Sequence, residues 1–323
     1  MTPTERSAWL EERRKGIGGS DVAAIMGLSP WATPVTVWLD KTGRQPPQEE
    51  TEAMRLGTEL EDFVARRYMQ TTGRTVQRYN TMLHDGCLIG NIDRLVVKEG
   101  EKVASHKQEI RTDTLLECKT SSREWDGEVP LYYQTQVQHY MGLCPALKMA
   151  DVAVLFLGRK HFEVFRVERD QQVIDHIQGV LKDWWQRYVV NDTMPPPVNE
   201  ADCKLLWARS NPGKSVEASD ETRENVARLA LLKEKESALK DAISEVQCAI
   251  EAAMGDAESL TDASGKPIVT WKSPSKATIK TDWEKLARWL YAQNHTVTQL
   301  PDRYIEQFSE SKLGPRRFII KKS

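Results

Sequence analysis

The run of three prolines at residues 195–197 constrains the architecture of this chain more than any other feature. Proline has no backbone N–H and its ring clashes with the preceding helical turn, so a helix cannot pass through this run. A chain of 323 residues is also long enough for two domains of about 150 residues each. We therefore place a boundary after residue 193. The prediction is a core over residues 1–193, a linker with a long helix over residues 194–263, and a small basic unit over residues 264–323.

Apolar residues before the prolines alternate between helical and strand-like patterns. Leu60, Val64 and Tyr68 recur at the spacing of one helical face, whereas residues 152–157 form a short apolar run typical of a strand. The predicted helices span residues 4–14, 22–26, 35–41, 49–68, 131–141 and 171–190, and the predicted strands span residues 88–97, 114–119, 152–157 and 162–167. This order predicts an α/β fold with a mixed (α+β) sheet and helices on both faces.

The part of the chain after the prolines has a different character. Residues 220–254 carry apolar residues in a 3-4 repeat that Glu236 interrupts once. Such a stripe can pack on a neighbouring element or form a self-associating coiled coil, and the pattern leaves both open. Residues 264–323 predict a small αβ extension with 12 Lys and Arg against 5 Asp and Glu. This basic segment indicates a second surface for DNA or a partner.

Charge and cysteine usage exclude several classes of protein. The formal net charge of −2 argues against a broadly basic nucleic-acid binder. The five cysteines are widely spaced and form no C-x-x-C motif, which favours a reduced, cytoplasmic protein without structural zinc or an iron–sulfur cluster. The apolar runs are too short to span a membrane, and residues 1–6 have no apolar stretch of the kind found in secretory signals.

Two predicted strands bring acidic residues and a lysine into one place. Side chains alternate along a strand, so Glu117 and Lys119 point the same way, and a paired neighbouring strand can set Asp93 opposite Glu117. Two carboxylates are hard oxygen ligands that suit Mg²⁺ or Mn²⁺, and a nearby lysine can stabilise charge on a phosphodiester. The alternative is a pair of solvated carboxylates beside a lysine. The apolar residues around both acidic positions favour chemistry, because buried charges are costly without a partner.

Other segments contribute further candidate residues. Glu61 lies on a predicted helix and could supply a third acidic ligand, although Glu59 and Asp62 compete for this role. Gln136 and Tyr140 lie one helical turn apart, as on any polar helical face. The glycine-rich segment at residues 16–21 follows two arginines and could present backbone N–H groups to a phosphate, or it could be a flexible connector.

These segments occur in one order along residues 7–190. The motifs are Arg13-x-x-Gly-Ile-Gly-Gly-Ser-Asp-Val22, Gly57-x-x-Leu-Glu61, Gly90-Asn-Ile-Asp93, Leu116-Glu-Cys-Lys119 and Gln134-Thr-Gln-Val-Gln-His-Tyr-Met141. Together they resemble the YqaJ-like viral recombinase family, which includes the lambda-type phage alkaline exonucleases. The resemblance implies a restriction-endonuclease-like core that uses Mg²⁺, with Mn²⁺ as a substitute. It also implies 5′→3′ digestion of linear double-stranded DNA by a homotrimeric ring, which leaves 3′ overhangs for a single-strand annealing protein. The expected location is the cytoplasm of a bacterial or phage-infected host cell.

The resemblance also implies roles for individual residues. Asp93 and Glu117 would bind the metal with the carbonyl group of Cys118, Lys119 would assist the attacking water, and Glu61 would complete the site. The implied pocket for the terminal 5′-phosphate consists of Arg13, Ser20, Asn91, Arg123 and Gln136, with Arg14 as a substitute for Arg13. Two other hypotheses stay open: an endonuclease with the same core, and a non-catalytic module that binds DNA ends or an annealing protein.

Overall fold

The computed structural model describes residues 11–45, 51–97, 109–272 and 283–294. The chain divides into two compact units, one that ends at Leu206 and one that begins at Trp207. The division therefore lies beyond residue 193, where the prolines had placed it. The reason is that the chain returns to the first unit after the prolines: Thr33 donates a hydrogen bond of 2.7 Å to the buried carboxylate of Asp202, and Leu206 packs on the first unit's core.

The first unit contains the helices α1 to α6 and the strands β1 to β7. In chain order they are α1 (Gly19–Ile25), α2 (Pro34–Lys41), α3 (Glu52–Thr72), β1 (Thr75–Arg78), β2 (Leu83–Asp85), β3 (Leu88–Gly90), β4 (Arg94–Val97), β5 (Thr114–Ser121), α4 (Leu131–Leu143), β6 (Met149–Phe156), β7 (His161–Glu168), α5 (Gln171–Trp184), a π-helical turn (Trp185–Val190) and α6 (Glu200–Leu206). Residues 4–10 of the predicted first helix lie outside the described residues, and residues 11–14 are helical.

Five strands form one mixed sheet in the order β1-β4-β5-β6-β7. Strands β5 and β6 are parallel, and the other neighbours are antiparallel. The single strand predicted over residues 88–97 is wrong, because β3 and β4 belong to different sheets. The chain leaves one sheet at Asn91 and enters the other after Asp93, whose carboxylate accepts a hydrogen bond from the backbone N–H of Cys118.

The sheet separates two apolar layers. Leu116 on β5 packs with Val64 and Tyr68 of α3 on one face, and the adjacent Leu115 packs with Val137 of α4 on the other. Neighbouring residues of a strand point to opposite faces, which explains why both are buried. Burial of each leucine stabilises the fold by about 1.5–3 kcal/mol. The predicted mixed α/β fold with helices on both faces of the sheet is confirmed.

The second unit contains the long helix α7 (Asp220–Met254), a hairpin of β8 (Ser259–Thr261) and β9 (Pro267–Thr270), and α8 (Trp283–Asn294). The hydroxyl oxygen of Ser219 accepts a hydrogen bond from the N–H of Thr222, and Gly255 with φ 56° ends the helix. The basic tail after residue 294 lies outside the described residues. Within the described parts of the chain, each helix is too short or too polar to cross a lipid bilayer. Whether α7 forms a coiled coil stays a prediction.

Candidate active site

Asp93 and Glu117 lie opposite each other at the end of two paired strands. The register of β4 and β5 pairs Leu95 with Leu115 and Arg94 with Leu116, so the next pair along is Asp93 and Glu117. The Asp93 Oδ2 atom accepts a hydrogen bond of 2.8 Å from the N–H of Cys118, which fixes the carboxylate against β5. The fold thus brings together two carboxylates that are 24 residues apart in the sequence.

Glu117 is a buried carboxylate with one oxygen in use. Its side chain is only 3% exposed. The Oε1 atom accepts hydrogen bonds from Lys119 Nζ at 2.7 Å and from Gln136 Nε2 at 2.7 Å. The Oε2 atom has no hydrogen-bond partner among the described residues. A buried carboxylate oxygen without a partner is costly, so this atom marks a position where a cation or a substrate group would be stabilised.

Lys119 lies on the same face of β5 as Glu117. Its Nζ atom donates to Glu117 and to Gln136 Oε1 at 3.1 Å, and it lies 4.6 Å from the centre of the Tyr133 ring. Burial lowers the pKa of Lys119, but the negative charges of Glu117 and Asp93 outweigh burial and raise this pKa above its ordinary value. In this arrangement Lys119 is a hydrogen-bond donor to Glu117 and Gln136.

The electrostatics of the acidic pair indicate a cation. Burial raises the pKa of Asp93 well above its ordinary value, and the negative charge of Glu117 raises it further. Across the described ranges, no three His, Cys, Asp or Glu side chains are grouped as metal ligands. Mg²⁺ is commonly held by one or two carboxylates and several waters, so Asp93 and Glu117 with the unpartnered Oε2 atom fit this ion.

Glu61 is held by an arginine that the sequence did not single out. Arg94 is buried at the start of β4, and its guanidinium donates to Glu61 Oε1 at 2.6 Å and to Asp62 Oδ1 at 2.5 Å. It also donates to the backbone carbonyl group of Asp93 at 2.5 Å. Glu61 and Asp62, two of the three acidic candidates on α3, thus contact one cation beside the site. The sequence feature that could have pointed to this contact is the arginine directly after Asp93.

Gln136 and Tyr140 connect the acidic pair to the glycine-rich turn. Gln136 is buried, and its Nε2 atom donates to the Tyr140 hydroxyl at 2.9 Å as well as to Glu117. A methyl group added to Gly19 would lie 2.5 Å from the Tyr140 hydroxyl oxygen, and one added to Gly90 would lie 3.0 Å from the ring. The absence of a side chain at Gly19 and Gly90 therefore leaves space for the Tyr140 ring. Tyr140 in turn accepts the hydrogen bond that helps to position Gln136.

Of the other predicted phosphate ligands, Ser20, Asn91 and Arg123 are exposed and Arg13 is half-buried. Arg13 Nη2 donates a hydrogen bond of 2.6 Å to Ser20 Oγ, so these two candidates lie together. Asn91 is exposed in the short connection between β3 and β4 that also contains Asp93. Arg123 is exposed in the bend after β5, where its backbone N–H donates to the Ser121 hydroxyl. Among the described residues, no hydrogen bond joins Arg123 to Arg13 or Ser20.

Comparison with known proteins assigns the family. Residues 8–145 match the model of the YqaJ-like viral recombinase domain. The uncharacterized protein YqaJ of Bacillus subtilis (strain 168) is 37% identical over 267 residues, which cover 78% of this chain and 79% of that protein. The chain belongs to the YqaJ-like viral recombinase family. An alignment of this length extends beyond the first unit, so the similarity to YqaJ includes part of the second.

Solved structures with similar coordinates include nucleases of low sequence identity. The alkaline exonuclease LHK-Exo from Laribacter hongkongensis is 21% identical, with a TM-score of 0.45, and the match covers 57% of this chain and 93% of that one. A phage related exonuclease from Haemophilus somnus 129PT is 14% identical, with a TM-score of 0.39, over 55% of this chain and 96% of that one. Likeness at this level transfers no residue roles, so the functional argument depends on the site itself.

Proposed function

We propose that this member of the YqaJ-like viral recombinase family is a Mg²⁺-dependent nuclease that degrades linear double-stranded DNA from its 5′ ends. The observation that carries the proposal is the group of Asp93, Glu117 and Lys119 around one unpartnered, buried carboxylate oxygen. Two carboxylates that can hold a cation and a nearby lysine suit the hydrolysis of a phosphodiester, because a cation and a hydrogen-bond donor both stabilise negative charge on the substrate.

Each residue of the group has a distinct task in the proposed reaction. Asp93 and Glu117 would hold Mg²⁺, with the carbonyl group of Cys118 as the further ligand that the family resemblance implies. Bound Mg²⁺ would activate a water molecule and neutralise negative charge on the scissile phosphate. Lys119 would donate to that water or to a phosphate oxygen from its place beside Glu117 and Gln136. Arg94 would hold Glu61 close to the acidic pair and would pair with the negative charge of Glu61.

The direction of digestion rests on the family resemblance and on one local feature. The pair of Arg13 and Ser20 offers a charge and a hydroxyl group to a terminal 5′-phosphate, and we include Asn91 and Arg123 in this pocket on resemblance alone. Both amide hydrogens of Gln136 are already donated to Glu117 and Tyr140. Gln136 would therefore have to give up one of these bonds to reach a phosphate, which favours a role in positioning Glu117.

The proposal extends to the assembly and the product. We expect a homotrimeric ring on a DNA end, a product with a 3′ overhang, and a single-strand annealing protein that receives it in the cytoplasm. Sedimentation analysis of the full chain tests the ring, with a mass of three chains as the expected result. A monomer under assay conditions would contradict the ring without affecting the proposed chemistry.

Substrate choice tests the proposed activity. The full chain is incubated with Mg²⁺ and three duplexes of equal length: linear with 5′-phosphates, linear with 5′-hydroxyls, and covalently closed. We expect mononucleotides to be released from linear ends, faster with 5′-phosphates, and the closed circle to stay intact. Equal cutting of the circle would show an endonuclease with the same core. Absence of cleavage in all three, with DNA-end binding retained, would show a binding module.

A further inference from the structure

An exposed tryptophan lies at one end of a group of aromatic rings. Trp31 is 71% exposed, although tryptophan is among the most apolar of large side chains. Its ring centre lies 5.0 Å from that of Tyr132 in an edge-on arrangement, and Tyr132 lies 4.5 Å from Tyr133. Tyr133 in turn contacts Trp125, which packs on the buried Phe156. The group thus extends from the apolar core to solvent.

The loop that carries Trp31 is held in place by hydrogen bonds. The backbone N–H groups of Trp31 and Ala32 both donate to the Ser29 hydroxyl at 3.2 Å. Thr33 then caps α2 by accepting a hydrogen bond from the N–H of Thr36. Exposure of Trp31 is therefore a property of an ordered loop. A pre-ordered aromatic surface binds a planar ligand without a large loss of side-chain entropy.

The aromatic group contacts the candidate active site through Tyr133. Lys119 Nζ lies 4.6 Å from the centre of the Tyr133 ring, and the Trp31 and Tyr133 ring centres are 6.5 Å apart. The distance from the centre of the Trp31 ring to Lys119 Nζ therefore cannot exceed the sum of these two distances. In a duplex with about 3.4 Å between base pairs along each strand, this corresponds to roughly three base-pair steps. A DNA end whose phosphate lies at Lys119 would have its neighbouring bases near Trp31.

We propose that Trp31 and Tyr132 form a stacking surface for nucleobases at the DNA end. This inference rests on the proposed function and specifies how the DNA end is held. Contacts to the phosphate groups alone would recognise their charge but would not hold the bases. Nucleobases are flat and apolar on their faces, and they stack on aromatic side chains in proteins that bind single strands or frayed ends. Stacking contributes about 1–3 kcal/mol per base, so the end should bind about 10- to 100-fold more tightly with its bases than without them.

Binding measured without metal tests this surface separately from cleavage. The dissociation constant of the full chain is measured by fluorescence anisotropy, with EDTA present, for a duplex with normal terminal nucleotides and for one whose last three base pairs lack their bases. The variants are Trp31→Ala and Trp31→Phe. Trp207→Ala is the matched control, since it removes another exposed indole (44%) that lies in the second unit but outside the basic segment.

The parent chain and the Trp207→Ala control should prefer the base-bearing end by about tenfold or more. Trp31→Ala should bind both ends equally, and Trp31→Phe should keep most of the preference. The proposal is overturned if the parent shows no preference, or if Trp31→Ala keeps it. Cleavage of the same duplexes with Mg²⁺ is measured in parallel. A chain that shows the base preference but cuts neither duplex would contradict the proposed nuclease and leave the stacking surface supported.

Discussion

Gln136 offers the sharpest test of how the site is held together. Replacing it with leucine keeps a side chain of similar size but removes the donor to Glu117 and the acceptor of Lys119. The two charge-assisted bonds contribute about 1.5–3 kcal/mol each, and the neutral bond to Tyr140 contributes about 0.5–1.5 kcal/mol. Burial of the leucine offsets about 1 kcal/mol of this loss. We therefore expect Gln136→Leu to lower the free energy of unfolding by about 2.5–6.5 kcal/mol.

A second variant changes the charge at position 136 while it keeps the shape of the side chain. Gln136→Glu puts a third carboxylate beside Glu117 and removes both donated hydrogens. Burial and the like charge would raise the pKa of the introduced carboxyl group above its ordinary value. The protonated form is then favoured by the fold, and stability is lost as the pH rises through the raised pKa. This variant should therefore be much less stable than the parent at pH 8 and close to it at pH 5.

Urea unfolding followed by far-UV circular dichroism measures both effects on the full chain. Gln138→Leu is the control, because Gln138 is buried on the same helix and, among the described residues, its side chain bonds to the backbone of Glu168 and Asp170. This control should lose stability but keep the rate of DNA cleavage, whereas Gln136→Leu should lose about 10- to 100-fold in rate. The reasoning fails if Gln136→Leu unfolds within about 0.5 kcal/mol of the parent, which is the range of a neutral surface change.

Three further predictions concern the same region. Burial and neighbouring negative charge raise the pKa of Asp93, so the metal-free fold loses stability as the pH rises through that value. Asp93→Asn should therefore melt at a higher temperature than the metal-free parent at pH 8, with a gap that closes towards pH 4, and a constant gap would contradict this. Gly19→Ala should cost about 1–3 kcal/mol because the added methyl group meets Tyr140, whereas Gly179→Ala, with open space around it, should be neutral or stabilising in thermal melts. Arg123→Ala should reduce the preference for 5′-phosphorylated over 5′-hydroxyl ends in a cleavage assay, and an unchanged ratio would remove Arg123 from the phosphate pocket.

The elements with regular periodicity could be predicted from the sequence. The helix over residues 220–254 begins and ends as predicted, since Ser219 and Gly255 are strong local signals for the two ends. The opposition of Asp93 and Glu117 also followed from the alternation of side chains along paired strands. Local rules were sufficient in both cases, because the deciding contacts lie within one helix or one hairpin.

Features that depend on contacts distant in the sequence could not be predicted. The residues from Leu88 to Val97 have the pattern of one strand, yet the chain changes sheets within them, at the point where Asp93 bonds to the backbone of Cys118. Likewise, β1 is a polar, largely exposed edge strand without an apolar pattern to reveal it. The ion pair of Arg94 with Glu61 joins residues 33 positions apart, and periodicity carries no information on such a pair.

The rate at which Lys119→Ala releases nucleotides tests most directly the central claim that this site cleaves DNA. The assay follows mononucleotides released from a 5′-phosphorylated linear duplex in Mg²⁺. Lys148→Ala is the control, since Lys148 precedes the opposite end of β6 and its side chain donates to the carbonyl group of Pro145. We predict that Lys119→Ala lowers the rate by about 100- to 1,000-fold while the control keeps the parent rate. A Lys119→Ala variant that releases nucleotides as fast as the parent would contradict the assignment of this site.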